Sequence, residues 1–520
     1  MTFRRLLMLF IIGFGIAWIV STFQDSPGYM DADYYYVTGL HLAKGFGFSE
    51  PFLWNFMDSP AGLPHPSHAY WMPLTSMLAA VGMFITKNYQ FASAQLGFIF
   101  LAGFLPPLTA ALSFALNNDK TWSTWAGLLA AFSGFYLAYL PTTDSFIIYM
   151  LLGAIYFLVL IKVTDFRYSS IYLGFLAGMM HLTRADGLIW LLIAISIAVS
   201  RSRKDLKKLI LSNLLTLSGY LLVMLPWLLR NQLVFGTMLS PGGAKAFWFT
   251  TYDDLYSYPS GLVTISRWWS TGLGEIIQSR FWALGQNLQT AIGVQGGIFL
   301  APLIMLGAWR SRENAGVRWG IITWLISLGV MTVVFPFAGA RGGFFHSGAA
   351  LQALMWALVP EGLRSFLRWG QQVRSWQKNQ AKTFFKIAII CFAMIFSLFL
   401  GYNRIIGDSL VNPEWNRQYE KYTHIESALQ EMGADSNDVV MVNNPPGFFA
   451  ASARPSVAIP NGDIETSLNV ARRYEIDYIL LEFNHPNGLD QLYEKPIDFP
   501  GLRYIWSDGD THIFAVESSP

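Results

Sequence analysis

The chain has 520 residues, which at roughly 100–200 residues per domain would make three or four soluble domains. Its composition excludes that: 53% of residues are apolar, 16% aromatic and 13% charged, the last about half the share of a soluble globular protein. A formal net charge of +2 without a concentrated basic face gives no support to nucleic-acid binding. The single cysteine, Cys391, excludes an intramolecular disulfide and a cysteine metal cluster.

A bilayer core takes about 20 helical residues to cross. Leu6–Phe23 follows Arg4 and Arg5 and lacks a small-residue cleavage site at Val20-Ser21-Thr22-Phe23. It reads as an uncleaved first helix with a cytoplasmic N-terminus. Long apolar runs follow at Phe91–Leu116, Trp122–Leu140, Phe146–Ile161, Leu209–Leu229, Ala291–Trp309, Trp319–Phe337, Phe344–Val359 and Phe384–Gly401. Pro73–Thr86 is too short to span comfortably, and Ile171–Ser200 is too long, with Arg184 and Asp186 in its middle. Charge sorting decides between the readings, because Lys and Arg collect on the cytoplasmic side.

With 73–86 in the interface and 171–200 folded as a hairpin of two short helices, about eleven crossings result. The cytoplasmic segments 1–5, 117–121, 162–170, 201–208, 310–318 and 361–386 then hold 19 of the 35 basic residues and five of the 33 acidic ones. The near-zero net charge is a cancellation across a membrane. A single long span over 171–200 would instead strand a charged pair at mid-bilayer, which is costly.

The expected architecture is a polytopic α-helical region, residues 1–401, followed by an extracytoplasmic α/β domain, residues 402–520. The expected location is the plasma (inner) membrane, in contact with membrane lipid. Outer loops 24–90 and 230–290 share a face with the tail. In the tail, 438–442, 476–482, 502–506 and 512–516 read as strands, with helices near 415–432 and 464–474. Pro445-Pro446-Gly447 after the first strand reads as a turn.

Chemistry concentrates on the outer face. Gly28-Tyr29-Met30-Asp31-Ala32-Asp33-Tyr34-Tyr35-Tyr36 sets two carboxylates in an apolar, aromatic segment at the end of the first helix. Low dielectric there raises a carboxyl pKa and makes a competent base or a metal ligand. The plainer reading is a polar cap beside interfacial tyrosines. His65 and His68 are three apart with Pro66 between them, and read as loop histidines. Arg341, in Ala340-Arg341-Gly342-Gly343-Phe344-Phe345-His346, offers a fork of donors to a phosphate, or else anchors a helix end to lipid headgroups. His346 and Arg230 are further donors to a phosphate, and Arg184 and Asp186 pair with each other or line the site. Phe247–Tyr256 places aromatics beside Asp253 and Asp254, and Tyr252 with them suits the faces and hydroxyls of a sugar.

The order of these segments resembles the GT-C membrane glycosyltransferases, and within them the bacterial relatives of protein O-mannosyltransferases (glycosyltransferase family 39-like) and the aminoarabinose transferase of lipid A. The resemblance rests on the split acid pair after span one, the His/Pro-Leu segment ending at Pro73-Leu74, and Leu182-Thr183-Arg184-Ala185-Asp186-Gly187. It rests also on Pro226-Trp227-Leu228-Leu229-Arg230-Asn231 with Phe235-Gly236, and on Asp144 in the turn Pro141–Ser145. It covers about 400 residues. It implies transfer of a hexosyl or pentosyl group from a polyprenyl-phosphate carrier to a protein, lipid or glycan acceptor on the outer face. The resemblance makes Asp31 the base, with Asp33 as rival because Ala32 splits the pair. The resemblance leaves metal use open; a divalent cation, magnesium or manganese, if one is used, would sit on Asp31, Asp33 and Asp144. The Trp-Trp-Asp-Tyr-Gly signature of oligosaccharyltransferases is absent, Trp506-Ser507-Asp508-Gly509 being no match, and the tail is expected to cover the site or select the acceptor. Two other classes fit many spans and a carrier lipid: a transporter or flippase of a lipid-linked sugar, or a cell-wall polymer ligase of another fold. The first would show mid-bilayer charges and internal repeats, and neither is evident.

Overall fold

The computed structural model describes residues 1–517. The chain begins with α1 (Phe3–Ser21) and continues outside it with α2 (Met30–Ala43), the short strands β1 (Ser49–Glu50), β2 (Phe52–Leu53) and β3 (His65–Pro66), and α3 (Leu74–Thr86). The apolar run from Phe91 is broken into α4 (Phe91–Ala102) and α5 (Leu105–Asn117). Pro106 and Pro107 lack the amides to continue a helix and so start a new one. Next, α6 (Lys120–Ala131) starts on Asp119, which accepts the amides of Thr121 and Trp122, and α7 (Phe146–Lys162) follows a 3₁₀ turn at Gly134–Tyr139.

The expected hairpin is present as α8 (Phe166–Thr183) and α9 (Leu188–Ser202), the chain leaving the helix at Arg184 with φ −150° and ψ 143°. Its arms are supported by α10 (Leu206–Phe235). A Cβ on Gly174 would lie 2.0 Å from the Thr216 carbonyl oxygen, and one on Gly219 2.2 Å from that of Ile171. The two backbones therefore touch, as along the small-residue seams by which membrane helices associate.

Segment 230–290 is only half a loop. It holds α11 (Pro241–Lys245), a 3₁₀ turn at Tyr252–Tyr256, α12 (Ile265–Ser270) and then α13 (Gly272–Gln289). Leu273, Ile277 and Phe281 recur at helical spacing on an exposed stripe of α13. After a break at 296–300 come α14 (Ala301–Arg310), α15 (Ala315–Gly329), α16 (Pro336–Ala338), α17 (Phe344–Arg374) and α18 (Lys378–Gly401). Helix α17 runs well past the apolar stretch ending at Val359 because its continuation is amphipathic. Arg364 there pairs with Asp119 (2.8 Å) and Glu361 (2.6 Å). It is also central to the bundle: Cβ atoms on Gly153 of α7 and Gly307 of α14 would collide with the Ala350 and Leu358 carbonyls. Among the described residues, six helical stretches are long and apolar enough to cross a membrane, with Leu74–Thr86 and Phe146–Lys162 as shorter apolar helices, so this is a multi-pass membrane protein.

The tail contains α19 (Arg417–Glu431), β4 (Val439–Val442), α20 (Pro445–Ser452), β5 (Ser456–Ala458), α21 (Ile464–Arg473), β6 (Ile476–Glu482), α22 (Asp490–Glu494), β7 (Leu502–Asp508) and β8 (Thr511–Val516). Its sheet runs β2-β5-β4-β6-β8-β7, parallel through β6 and antiparallel beyond. The edge strand β2 comes from the first outer segment, so the two regions share one sheet. The Pro-Pro-Gly expected as a turn opens α20. Asn444 accepts the Gly447 amide as its cap, and the two prolines occupy the first helical positions, where no intrahelical partner is needed.

Candidate active site

Helix α2 starts just after Tyr29, and Asp31 and Asp33 fall in its first turn, where acids complement the helix dipole. Residues two apart on a helix point about 200° away from each other. The two carboxylates consequently face different neighbours.

Asp31 faces a cluster. Its Oδ2 lies 3.8 Å from Nε2 of His346, and the same nitrogen is 3.2 Å from Oδ2 of Asp144. Oxygens of Asp31 and Asp144 and a nitrogen of His346 all fall within 4.8 Å of one another. Asp144 lies just before α7, and His346 sits in the first turn of α17. Three helix N-termini therefore converge, adding their positive ends to a place that holds negative charge.

Asp144 is buried and accepts from Tyr29 Oη (2.5 Å), Ser145 Oγ (3.0 Å) and the Ser145 amide. Burial alone would raise its carboxyl, but His346, Tyr29 and the Ser145 amide outweigh that and hold it below the ordinary range. Asp31, one-third exposed, is pushed up to about 6 by burial and by Asp144, with His346 and Arg184 opposing. One carboxyl is thus fixed as an anion while its neighbour can exchange a proton near neutrality, the division of roles expected of a site that moves protons. The His346 ring stacks on Phe146 at 4.1 Å, and its Nδ1 donates to the Gly342 carbonyl at 3.0 Å. Since a carbonyl only accepts, Nδ1 carries hydrogen and Nε2 is the atom offered to the cluster. Gly342 turns the chain into α17 at φ 113°, a conformation glycine adopts freely.

Asp33 faces the tail instead. It is 5% exposed and accepts from Asn444 Nδ2 at 2.8 Å. Burial pushes its carboxyl up to about 7, against the Asn444 hydrogen bond.

Arg184, at the tip of the α8–α9 hairpin, bonds Asp186 through Nε at 2.8 Å. Its charge is among those that draw the Asp31 carboxyl down. Arg341 is exposed and lies over the Tyr252 ring, 4.7 Å from its centroid. Arg230 is elsewhere. Its guanidinium donates to the Phe48 (3.3 Å) and Ser67 (2.9 Å) carbonyls and rests on Trp227 and Phe235. Asp253 is exposed. Asp254 is fully buried as a cap for the 3₁₀ turn and pairs with Arg267 at 2.8 Å.

His65 pairs with Asp58 at 2.7 Å, and His68 lies between the Ser67 and Ser76 hydroxyls. Neither joins the cluster. Tyr29 and Asn444 were passed over by sequence reasoning. Tyr29 stands two residues before Asp31, and Asn444 opens a Pro-Pro segment, which together with a strand end is the signal of a helix cap.

No protein-family model matches the chain, and no curated protein sequence does. Solved structures do match. The chain is similar to ArnT from Cupriavidus metallidurans in the apo state, with TM-score 0.60 and 10% identity over 98% of this chain and 97% of that one. The same enzyme bound to undecaprenyl phosphate matches with TM-score 0.56 and 11% identity over the same shares. The archaeal oligosaccharyltransferase AglB from Archaeoglobus fulgidus, in complex with an inhibitory peptide and a dolichol-phosphate, matches with TM-score 0.57 and 12% identity. That match covers 98% of this chain and 74% of that one. The chain therefore has the fold of the GT-C membrane glycosyltransferases, the fold its ordered motifs resemble.

Proposed function

We propose that this protein transfers a sugar from a polyprenyl-phosphate carrier to an acceptor hydroxyl or amine on the outer face of the plasma membrane. The observation that carries the reading is the convergence of Asp31, Asp144 and His346 within 4.8 Å at three helix N-termini. The similarity to ArnT bound to undecaprenyl phosphate and to AglB bound to a dolichol-phosphate supports the carrier class. In this reading the chain crosses the membrane eleven times, at α1, α4–α5, α6, α7, α8, α9, α10, α13–α14, α15, α17 and α18. The N-terminus is then cytoplasmic and the tail outside. The sorting of 19 basic against five acidic residues to the cytoplasmic segments supports this orientation.

Asp31 is the base. Its side chain is the most exposed of the three, and it makes no hydrogen bond among the described residues, so an oxygen is left for the acceptor proton. As the acceptor attacks the anomeric carbon, the sugar–oxygen bond to the carrier phosphate breaks and the phosphate leaves with the electron pair. Asp144 holds His346 in place and keeps its own charge, which favours a proton on Nε2 beside the departing oxygen. Arg184, held by Asp186, and Arg341, resting over the Tyr252 ring, supply positive charge for that developing charge, the largest kind of contribution to such a step. Tyr252, backed by Arg341, offers a ring face to the sugar.

With Nε2 unprotonated, two carboxylates and an imidazole whose Nδ1–H is tied to a backbone carbonyl are instead a donor set for a divalent cation, the ring nitrogen favouring manganese over the oxygen-seeking magnesium. The gaps of 3.2 and 3.8 Å suit ligands spread about one ion at roughly 2.1 Å each. Asp31, Asp144 and His346 would hold such an ion, and it would supply positive charge beside the leaving phosphate.

The test is release of undecaprenyl phosphate and transfer of radiolabel from a panel of undecaprenyl-phosphate sugars, using the protein in lipid nanodiscs. Transfer by the wild type and its loss in Asp31→Asn support the reading. A wild type inert to every donor, or undiminished Asp31→Asn, overturns it.

A further inference from the structure

We infer that Asn444 of the tail domain positions Asp31 by acting on α2 through Asp33, making the tail a working part of the site. The inference rests on the reading of Asp31 as the base. Helix α2 carries its two acids on opposite sides, Asp31 toward Asp144 and His346, Asp33 toward α20. Asp33 is 5% exposed, and its only side-chain hydrogen bond among the described residues is the 2.8 Å bond from Asn444 Nδ2.

The geometry leaves Asn444 one orientation. It is 3% exposed, and its Oδ1 accepts the Gly447 amide at 3.1 Å, which commits its NH₂ to Asp33. Pro445 and Pro446 stiffen the backbone immediately after it. Gly447 has no room for a side chain, since a Cβ there would stand 2.7 Å from Asp33 Oδ2 and 2.3 Å from Asn444 Nδ2.

The opposite side of α2 is tied to the site as well. Thr143, next to Asp144, donates its hydroxyl to the Ala32 carbonyl at 2.8 Å. The first helical turn of α2 is thus clamped between the Asp144 turn and the tail. A carboxylate about 6 Å from a helix axis moves about 2 Å when the helix rotates by about 20°. A misplacement of about 1 Å can cost a reaction about 100-fold. A hydrogen bond on the far side of the helix is well placed to prevent that rotation.

The experiment uses the full chain in nanodiscs and three variants: Asn444→Asp, Asp33→Asn, and both together. Asn444→Asp keeps the helix cap but sets a carboxylate against Asp33. Asp33→Asn alone can still accept from Asn444. The double variant exchanges the partners and restores one donor facing one carboxylate. Turnover of undecaprenyl-phosphate sugars is expected to fall in kcat by about 10- to 100-fold for Asn444→Asp, with donor KM within about two-fold. It is expected to recover to within about three-fold of wild type in the double variant.

Hydrogen exchange of the α2 amides, which needs no substrate, is expected to quicken in Asn444→Asp and return in the double variant. Unchanged exchange and kcat in Asn444→Asp, or a double variant no better than it, overturns the inference. An inert wild type with the expected exchange pattern would fault the proposed reaction and leave the clamp standing. Loss of activity in Asp33→Asn alone would make Asp33 the base and overturn the positioning role.

Discussion

Asp144→Asn perturbs the cluster at its most constrained point. The side chain keeps its volume, but one oxygen becomes an NH₂ group. At present Oδ1 accepts from the Ser145 amide and hydroxyl, and Oδ2 accepts from Tyr29 Oη at 2.5 Å and faces His346 Nε2 at 3.2 Å. The amide can turn its NH₂ only toward Oδ2's neighbours, because the Ser145 amide has no freedom to accept. Tyr29 must then rotate its hydroxyl to become an acceptor, and His346 loses its anionic partner.

Hydrogen bonds to charged groups contribute about 1.5–3 kcal/mol and neutral ones about 0.5–1.5 kcal/mol. Changing the bonds to Tyr29 and His346 from charged to neutral costs about 2–3 kcal/mol. The expected result is a lower melting temperature in nanodiscs and a transfer rate down by about 100-fold, which corresponds to about 2.7 kcal/mol of barrier. Tryptophan fluorescence melting and a radiolabel transfer assay read the two effects on the same preparation. An Asp144→Asn protein that melts and turns over like wild type would refute the reasoning.

Other expectations concern neighbouring parts. Glu50 is buried in the first outer segment with Oε2 unpartnered among the described residues, and burial holds its carboxyl well above its ordinary value of 4.5. Such a group binds its proton in the folded state, so the fold loses stability as pH rises from about 4.5 through that raised value. Glu50→Gln should remove this part of the pH dependence and raise the melting temperature at pH 8, and an unchanged melting profile would contradict it. Arg341→Ala should raise donor KM and lower kcat together, about ten-fold in kcat/KM, and a variant with normal kinetics would remove Arg341 from the phosphate. Manganese titration followed by electron paramagnetic resonance should show one bound ion per chain that disappears in His346→Ala; identical binding in the two proteins would exclude the cluster as the ligand set.

Much of the membrane region was legible because lipid imposes one-dimensional rules. Arg184 and Asp186 could not sit at mid-bilayer, so Ile171–Ser200 had to turn there, and the structure puts the turn at Arg184–Gly187. The apolar run of α17 ended where its amphipathic part began, and hydropathy alone does not see the rest of such a helix. Residues 272–289 went unread as a helix for the same reason, although Leu273, Ile277 and Phe281 repeat at helical spacing.

The site was legible as a set of candidates and not as a cluster. Asp31, Asp144 and His346 are far apart in sequence, and only the crossing of α2, α7 and α17 brings them together. That Asp31 and Asp33 meet different neighbours needed one further step. Once 30–43 is a helix, spacing of two separates the pair onto different faces. Arg230 shows the reverse error. A basic residue at a span end looks available, but carbonyls of the first outer segment already occupy its Nη2 and Asn231 takes its Nη1. Pro445-Pro446-Gly447 carried two valid local meanings, turn and helix start, and the capping Asn444 selects the second.

The central claim is that Asp31 takes the acceptor proton. The most direct measurement compares kcat for undecaprenyl-phosphate sugar transfer in Asp31→Asn and Asp33→Asn, with both proteins melting near wild type. The account predicts a loss of about 10²- to 10⁴-fold for Asp31→Asn and a value within about three-fold of wild type for Asp33→Asn. Equal losses, or the larger loss in Asp33→Asn, would contradict it.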